Sequence, residues 1–188
     1  MTTVYSVIQD GRDRLMQALT YWKTVTVDTT DLLESLLDLL ASHQIRYCVI
    51  GGQAVNAFVD PLVSLDLDLV VAASQLGEVE ELVESRFRVR RFPHSLNVYQ
   101  SGSELRVQIQ TDPRYTDFPQ RATPQEVLGL TLPVASLEDV LQGKVWAASD
   151  EKRRGSKRQK DLADISRLLE AYPHLRSLVP DSLLRRIF

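Results

Sequence analysis

The sequence predicts an α+β protein, a small mixed β-sheet with flanking helices and a helical C-terminal part. Three observations predict it. Short β-rich runs and helical patterns interleave up to about residue 135. From Ser136 onward the spacing is helical alone. The length of 188 residues, 44% of them hydrophobic, suits one globular domain with a real core.

Val4, Ile8, Leu15, Ala18 and Leu19 fall at helical spacing, weakened by Gly11, and predict an N-terminal helical extension over residues 1–28. A core follows over 29–135. In "DTTDLLESLLDLLASHQ", Thr30 or Asp31 can cap a helix with Leu32, Leu33, Leu36, Leu37, Leu39 and Leu40 on a broad apolar face. "RYCVI" reads as a strand ended by Gly51-Gly52, and "QAVNAF" as a short helix. "SLDLDLVV" alternates as a strand does, and "SQLGEVEELVES" is amphipathic. "FRVRRF", "LNVYQ" and "ELRVQIQ" predict three further strands, turning at Pro93-His94 and Ser101-Gly102. The polar, proline-containing stretch 112–124 is expected as loop, and "EVLGLTLPVA" as one short strand. The C-terminal part, 136–188, opens with "SLEDVLQGKVWAAS", a Ser cap with a carboxylate three residues later. "SKRQKDLADISRLLEAY" continues it to Pro173, and a last short helix starts near Asp181.

The net charge of -3 gives no global polycation, but residues 151–160 hold six cations and one anion. The single cysteine, Cys48, excludes a disulfide framework and fits a reducing cytoplasm. The N-terminus lacks the basic start and apolar run of a signal peptide, and no apolar stretch reaches membrane-spanning length. A cytoplasmic protein without a membrane partner is expected. His43, His94 and His174 lie far apart, so no His/Cys grouping has metal-ligand spacing.

Asp66 and Asp68 pose the functional question. Asp is depleted from strands, and side chains two apart point to one side. An alternating strand with one solvated face also yields "LDLDL". The sharper reading is that the two carboxylates converge on a divalent cation. Mg²⁺ prefers one or two carboxylates plus substrate phosphates. Gly51-Gly52 follows a strand and opens a helix, where backbone N–H groups can hold a phosphate.

"GG" followed after thirteen residues by "DLD" resembles the signature of the DNA polymerase β-type nucleotidyltransferase superfamily. "LEDVLQGKVWAA" followed by "RQKDLADI" is similar to the last motif of the AbiEii-like group. The resemblance implies a nucleotidyltransferase fold and transfer of a nucleoside monophosphate from an NTP, with Mg²⁺ or Mn²⁺ as cofactor. It implies Asp66 and Asp68 as metal ligands, with Lys144 as the third catalytic residue. Gly51, Gly52, Ser64, Lys144, Lys160 and Asp161 would contact the nucleotide. The implied acceptor is an RNA, a protein or a small molecule, and relatives include toxin–antitoxin and phage-defence components.

Two departures bear on catalysis. Gln108 stands where the family usually has a third carboxylate. Glu104 and Asp112 share its parity but lie about 13 Å away at strand rise. Leu62 and Ser64 stand where relatives often carry Arg and Thr. An alternative function follows: a catalytically impaired member that binds a nucleotide or a partner protein.

Lys144 falls on the apolar stripe of its helix with Leu137, Leu141 and Ala148, either snorkelling to water or facing a cleft. Asp161 and Asp164 share a helix face. Lys160 can pair with Asp164, or Asp161 can orient Lys144. The basic run Lys152, Arg153, Arg154, Lys157, Arg158 and Lys160 is either a solvated loop or a capture surface for a phosphate-bearing acceptor such as RNA. Arg86, Arg88, Arg90 and Arg91 around the "FRVRRF" strand could extend it, with Arg86, Arg88 and Arg90 on one face.

Overall fold

A computed structural model of the chain describes residues 31–62, 64 and 66–188. The expected helix over 4–22 lies outside them. In chain order the elements are α1 (Leu32–Ser42), β1 (Tyr47–Ile50), α2 (Gly51–Asn56), β2 (Asp66–Val71), α3 (Leu76–Arg86) and β3 (Arg88–Phe92). Then come β4 (Ser95–Tyr99), β5 (Arg106–Gln110), α4 (Phe118–Arg121), β6 (Thr123–Val127) and β7 (Leu130–Val134). The chain closes with α5 (Leu137–Ser149), α6 (Gly155–Ala171) and α7 (Asp181–Ile187). The strands form one mixed sheet in the order β3-β4-β5-β2-β1-β7-β6. The β2–β5 and β1–β7 pairs are parallel and the others antiparallel.

Strand alternation separates the two faces of this sheet. Leu67 and Leu69 of β2 and Val107 and Ile109 of β5 are fully buried on one face. Each such burial contributes about 1.5–3 kcal/mol. Asp66, Asp68, Arg106, Gln108 and Gln110 take the other face, in register across β2 and β5. Arg91 of β3, which lies on the leucine face, pairs with Glu80 at 2.5 Å and Glu84 at 2.7 Å, so α3 covers that side. Helices α4, α5 and α6 stand on the aspartate side.

Helix α5 starts at a side-chain cap, whereas α3 and α6 begin without a side-chain cap hydrogen bond. Ser136 Oγ accepts the Asp139 N–H at 3.2 Å and opens α5. The Asp139 carboxylate does not close a capping box; both its oxygens accept from Arg121, at 2.8 and 2.9 Å. No described helix is long and apolar enough to cross a membrane.

Two expectations need correction. The stretch 112–124 is not plain loop. It holds a 3₁₀ turn (Pro113–Tyr115), α4 and the start of β6. Tyr115 and Phe118 bury against Trp146 of α5, with ring centroids 5.0–6.0 Å apart, so aromatic burial orders a polar-looking segment. "EVLGLTLPVA" is not one strand but parts of two, β6 and β7. Their turn places Leu128 at φ 56° and Gly129 at φ 76°. A two-residue hairpin turn of this kind needs positive φ at both positions, and Leu at the first disguised it.

Asp112 caps the 3₁₀ turn. It accepts the Arg114 N–H at 2.9 Å and the guanidinium at 2.7 Å. The Arg114 hydrogen bond holds its carboxyl below the usual carboxylate range. A depressed acid stabilises the fold above its unfolded pKa of about 3.9, and that stability is lost as pH falls through the lower folded value. Asp112→Asn will lower the melting temperature at pH 7 and reduce the difference from wild type below about pH 4, readable by thermal melts across pH.

Candidate active site

The Asp66 and Asp68 side chains both line a cavity of about 270 Å³ between the sheet and helices α4–α6. Gly51, Lys144 and Asp161 line it as well, so five of the expected residues meet in one space. The plain reading of Asp66 and Asp68 as carboxylates facing bulk water does not describe this pair.

Gly51 sits at φ 70° directly beneath Asp68. A Cβ there would fall 2.1 Å from Asp68 Oδ2. Only glycine supplies both the conformation and the clearance. Gly51→Ala will therefore displace Asp68 and destabilise the fold by about 1–2 kcal/mol from backbone strain alone, visible as a lower urea midpoint.

Burial pushes the Asp68 carboxyl above the usual range, and Lys144 is the main opposing pull. Among the described residues, no cation lies within ion-pair distance of Asp68. Asp66 differs. It forms an ion pair with Arg106, its neighbour in register on β5, and lies 3.6 Å from Lys157 Nζ.

Lys144 does not snorkel. It is 7% exposed, with Nζ 2.7 Å from Asp164 and 3.2 Å from Asp161. Burial pulls its pKa down, but Asp164 and Asp161 outweigh that and hold it above the ordinary lysine value. Arg153 donates to the other Asp161 oxygen at 2.5 Å. Arg167 donates to Asp164 at 3.0 Å and to the Asp60 carbonyl, tying α6 to the loop after α2. Of the two readings that helical spacing left open, Lys160 does not pair with Asp164, which is 3% exposed and turned inward to Lys144 and Arg167, whereas Asp161 does hold Lys144.

Gly52, Ser64 and Lys160 gather beside the cavity. A Cβ on Gly52 would lie 3.0 Å from Ser64 Oγ and 3.8 Å from Lys160 Nζ. Gln53 Nε2 donates to the Ser64 carbonyl at 2.7 Å and fixes the approach to β2. Leu62 is 58% exposed, its backbone clasped by Asn56 at 2.6 and 3.0 Å.

Gln108 lies beside Asp68 in register and lines the cavity. Neither Glu104, which is exposed, nor Asp112, committed to Arg114, lines it. A further carboxylate, Asp139, does, but it is held by Arg121. No group of three or more His, Cys, Asp or Glu with metal-binding geometry occurs among the described residues. Arg106, Arg153 and Lys157 are cavity residues that sequence reasoning did not place there.

An α+β fold of this topology, with paired aspartates over a Gly-Gly bend, defines a nucleotidyltransferase-fold protein. The fold is similar to that of ANT(2'')-Ia solved with adenylyl-2''-tobramycin, with TM-score 0.58 and 15% identity over 84% of this chain and 97% of that one. The solution structure of the antibiotic-resistance factor ANT(2'')-Ia gives TM-score 0.53 and 16% identity over 85% and 97% of the two chains. No curated protein matches the sequence. A family model matches residues 53–188, and the chain belongs to that family, described as nucleotidyl transferase AbiEii toxin of type IV toxin–antitoxin systems.

Proposed function

We propose that the cavity is a nucleotidyl-transfer site that takes a Mg²⁺–NTP and passes the nucleoside monophosphate to an acceptor. The observation that carries this reading is the convergence of Asp66, Asp68 and Lys144 on one cavity, with Gly51 pressed against Asp68. The donor set fits a hard divalent cation. Asp68 is a half-buried carboxylate without an ion-pair partner among the described residues, and Mg²⁺ sites commonly use one or two carboxylates plus phosphate oxygens. Asp66 and Asp68 would hold Mg²⁺ or Mn²⁺. When bound, the cation neutralises charge on the phosphoryl oxygens and aligns attacking and leaving groups.

The chain's own residues supply the rest. Lys144 has three donors, two of them directed at Asp161 and Asp164, which leaves one for a phosphate oxygen. Asp161 and Asp164 hold that lysine charged and fixed. The region 29–135 would contribute the carboxylates and 136–188 the lysine. Gly52, Ser64 and Lys160 form an adjacent polyphosphate contact. Arg106 and Lys157 hold Asp66 until a cation replaces them.

Gln108 cannot act as a base, but phosphoryl transfer through a loose transition state depends mainly on positioning and electrostatics. Membership of a family described by type IV toxin–antitoxin systems supports a place in such a system. The test is incubation with each labelled NTP, total RNA or lysate, and Mg²⁺ or Mn²⁺. Label will enter an acceptor with wild type and not with Asp66→Asn.

A second reading rests on Gln108 beside Asp68, namely a member that binds nucleotide without transferring it. Under it, label transfer would appear only in Gln108→Asp. Under the first reading wild type transfers.

A further inference from the structure

We infer that Arg106 is a further substrate-binding residue, which leaves Asp66 to hold two oxygens of the phosphoryl group next to the nucleoside, the group that is transferred. This role rests on the proposed transfer site and adds to it a residue and a direction for the bound triphosphate.

The charges around Asp66 and Asp68 balance only while the site is without a cation. Asp66 Oδ2 accepts from Arg106 Nη2 and lies 3.6 Å from Lys157 Nζ. Arg106 and Lys157 thus match the two aspartates charge for charge. A divalent cation on Asp66 and Asp68 leaves both basic side chains uncompensated. The other cavity carboxylates do not take them up, because Asp161 is bonded to Lys144 and Arg153, and Asp139 to Arg121. Phosphate oxygens are the anions that restore the balance.

The guanidinium of Arg106 is only half used. Nε–H and Nη2–H of an arginine form one edge that aims two donors the same way. Here Nη2 meets Asp66, while Nε is buried without a hydrogen-bond partner. A buried unpaired donor costs free energy, so Asp66 does not satisfy this side chain. A phosphoryl group offers two oxygens that match such an edge. Arg106 lines the cavity, and its side chain is 36% exposed, so the core does not lock it in place.

Sheet register sets the direction. Ile50 of β1 pairs with Asp68 of β2, and Asp66 and Asp68 pair with Arg106 and Gln108 of β5. Gly51 and Gly52 follow Ile50, and Lys160 Nζ stands by Gly52. These phosphate contacts lie on the β1 side of the aspartates, and Arg106 lies on the β5 side. Two strand spacings, about 10 Å, separate the two strands. A triphosphate with its tail at Gly52 and Lys160 therefore brings its nucleoside end toward β5. That strand presents Arg106, Gln108 and Gln110 to the cavity, and no carboxylate. Arg106 exchanges no proton there. It holds the charge that spreads over the oxygens of the transferred group.

The test compares wild type, R106Q and R106K, each first shown to melt cooperatively. Mn²⁺ binding without nucleotide is read by electron paramagnetic resonance of the free ion. Binding of each of the four ribonucleoside triphosphates with Mn²⁺ is read by calorimetry. R106Q removes a competing cation from Asp66 and will bind Mn²⁺ alone about two- to fivefold more tightly. It will bind the preferred NTP at least about tenfold more weakly, since hydrogen bonds to a charged group are lost. R106K keeps the charge but not the two-donor edge, and its NTP affinity will fall between the two. A residue that served Asp66 alone would, when removed, improve the binding of metal and nucleotide together. NTP affinity in R106Q equal to or above that of wild type would overturn the inference, and so would Mn²⁺ bound no more tightly. If R106Q does not fold, R106K decides, and wild-type NTP affinity in it would overturn the inference. Failure of wild type to bind any NTP with Mn²⁺ would instead overturn the transfer site.

Discussion

Lys144→Met will cost the fold about 3–5 kcal/mol, the range for removing one partner of a buried ion pair. The lysine is 7% exposed and stands between Asp161 at 2% and Asp164 at 3%. Methionine fills a similar volume but leaves two buried carboxylates facing one another. Arg153 and Arg167 each retain a bond to one of them, which limits the loss. Denaturant melts will read this directly. In a chain of this size most single changes cost less than 3 kcal/mol, so the effect will stand out. A snorkelling lysine, the alternative its position on an apolar stripe allowed, would cost far less.

Asp68→Asn will act in the opposite way on stability and far more strongly on activity. Burial raises the Asp68 carboxyl. An acid whose folded pKa exceeds its unfolded one costs stability when ionised, and the cost is relieved as pH falls through the raised value. The neutral amide removes that cost, so the variant will be at least as stable as wild type at pH 7. Transfer will fall by more than about a thousandfold. Cation-supplied charge stabilisation is worth several kcal/mol, and about 1.4 kcal/mol is a factor of ten in rate. Lys144→Met unfolds more easily and Asp68→Asn does not, so Asp68→Asn is the variant whose lost transfer is not a loss of fold.

What could be read from the sequence follows periodicity. Alternation in "SLDLDLVV" placed Asp66 and Asp68 on one face, and the family resemblance put Gln108 of "LRVQIQ" at the matching place. The register Asp68–Gln108 agrees with both. A Gly-Gly after a strand marks close approach, read from the sequence as the approach of a phosphate; what the fold packs against Gly51 is Asp68, which no local pattern shows. The "EVLGLTLPVA" hairpin was hidden because Leu128 occupies a left-handed turn position that usually belongs to Asn, Asp or Gly.

Tertiary pairing was the least accessible level. Arg106 shares the parity of Gln108, but nothing local shows that β5 lies parallel to β2 and hands its guanidinium to Asp66. Lys157 lies four residues before Asp161 and so on its helix face. That spacing would have drawn it out of the basic run and into the cavity. The Lys160–Asp164 pair was allowed by helical spacing and lost to burial, since a carboxylate turned into the core takes the partners it finds there.

The most direct test of the central claim is titration of an NTP into wild type and Asp68→Asn, with Mg²⁺ and with chelator. Binding will need the metal in wild type and be lost in the variant, whose melting temperature will be unchanged or higher. Metal-independent binding, equal in both proteins, would contradict it.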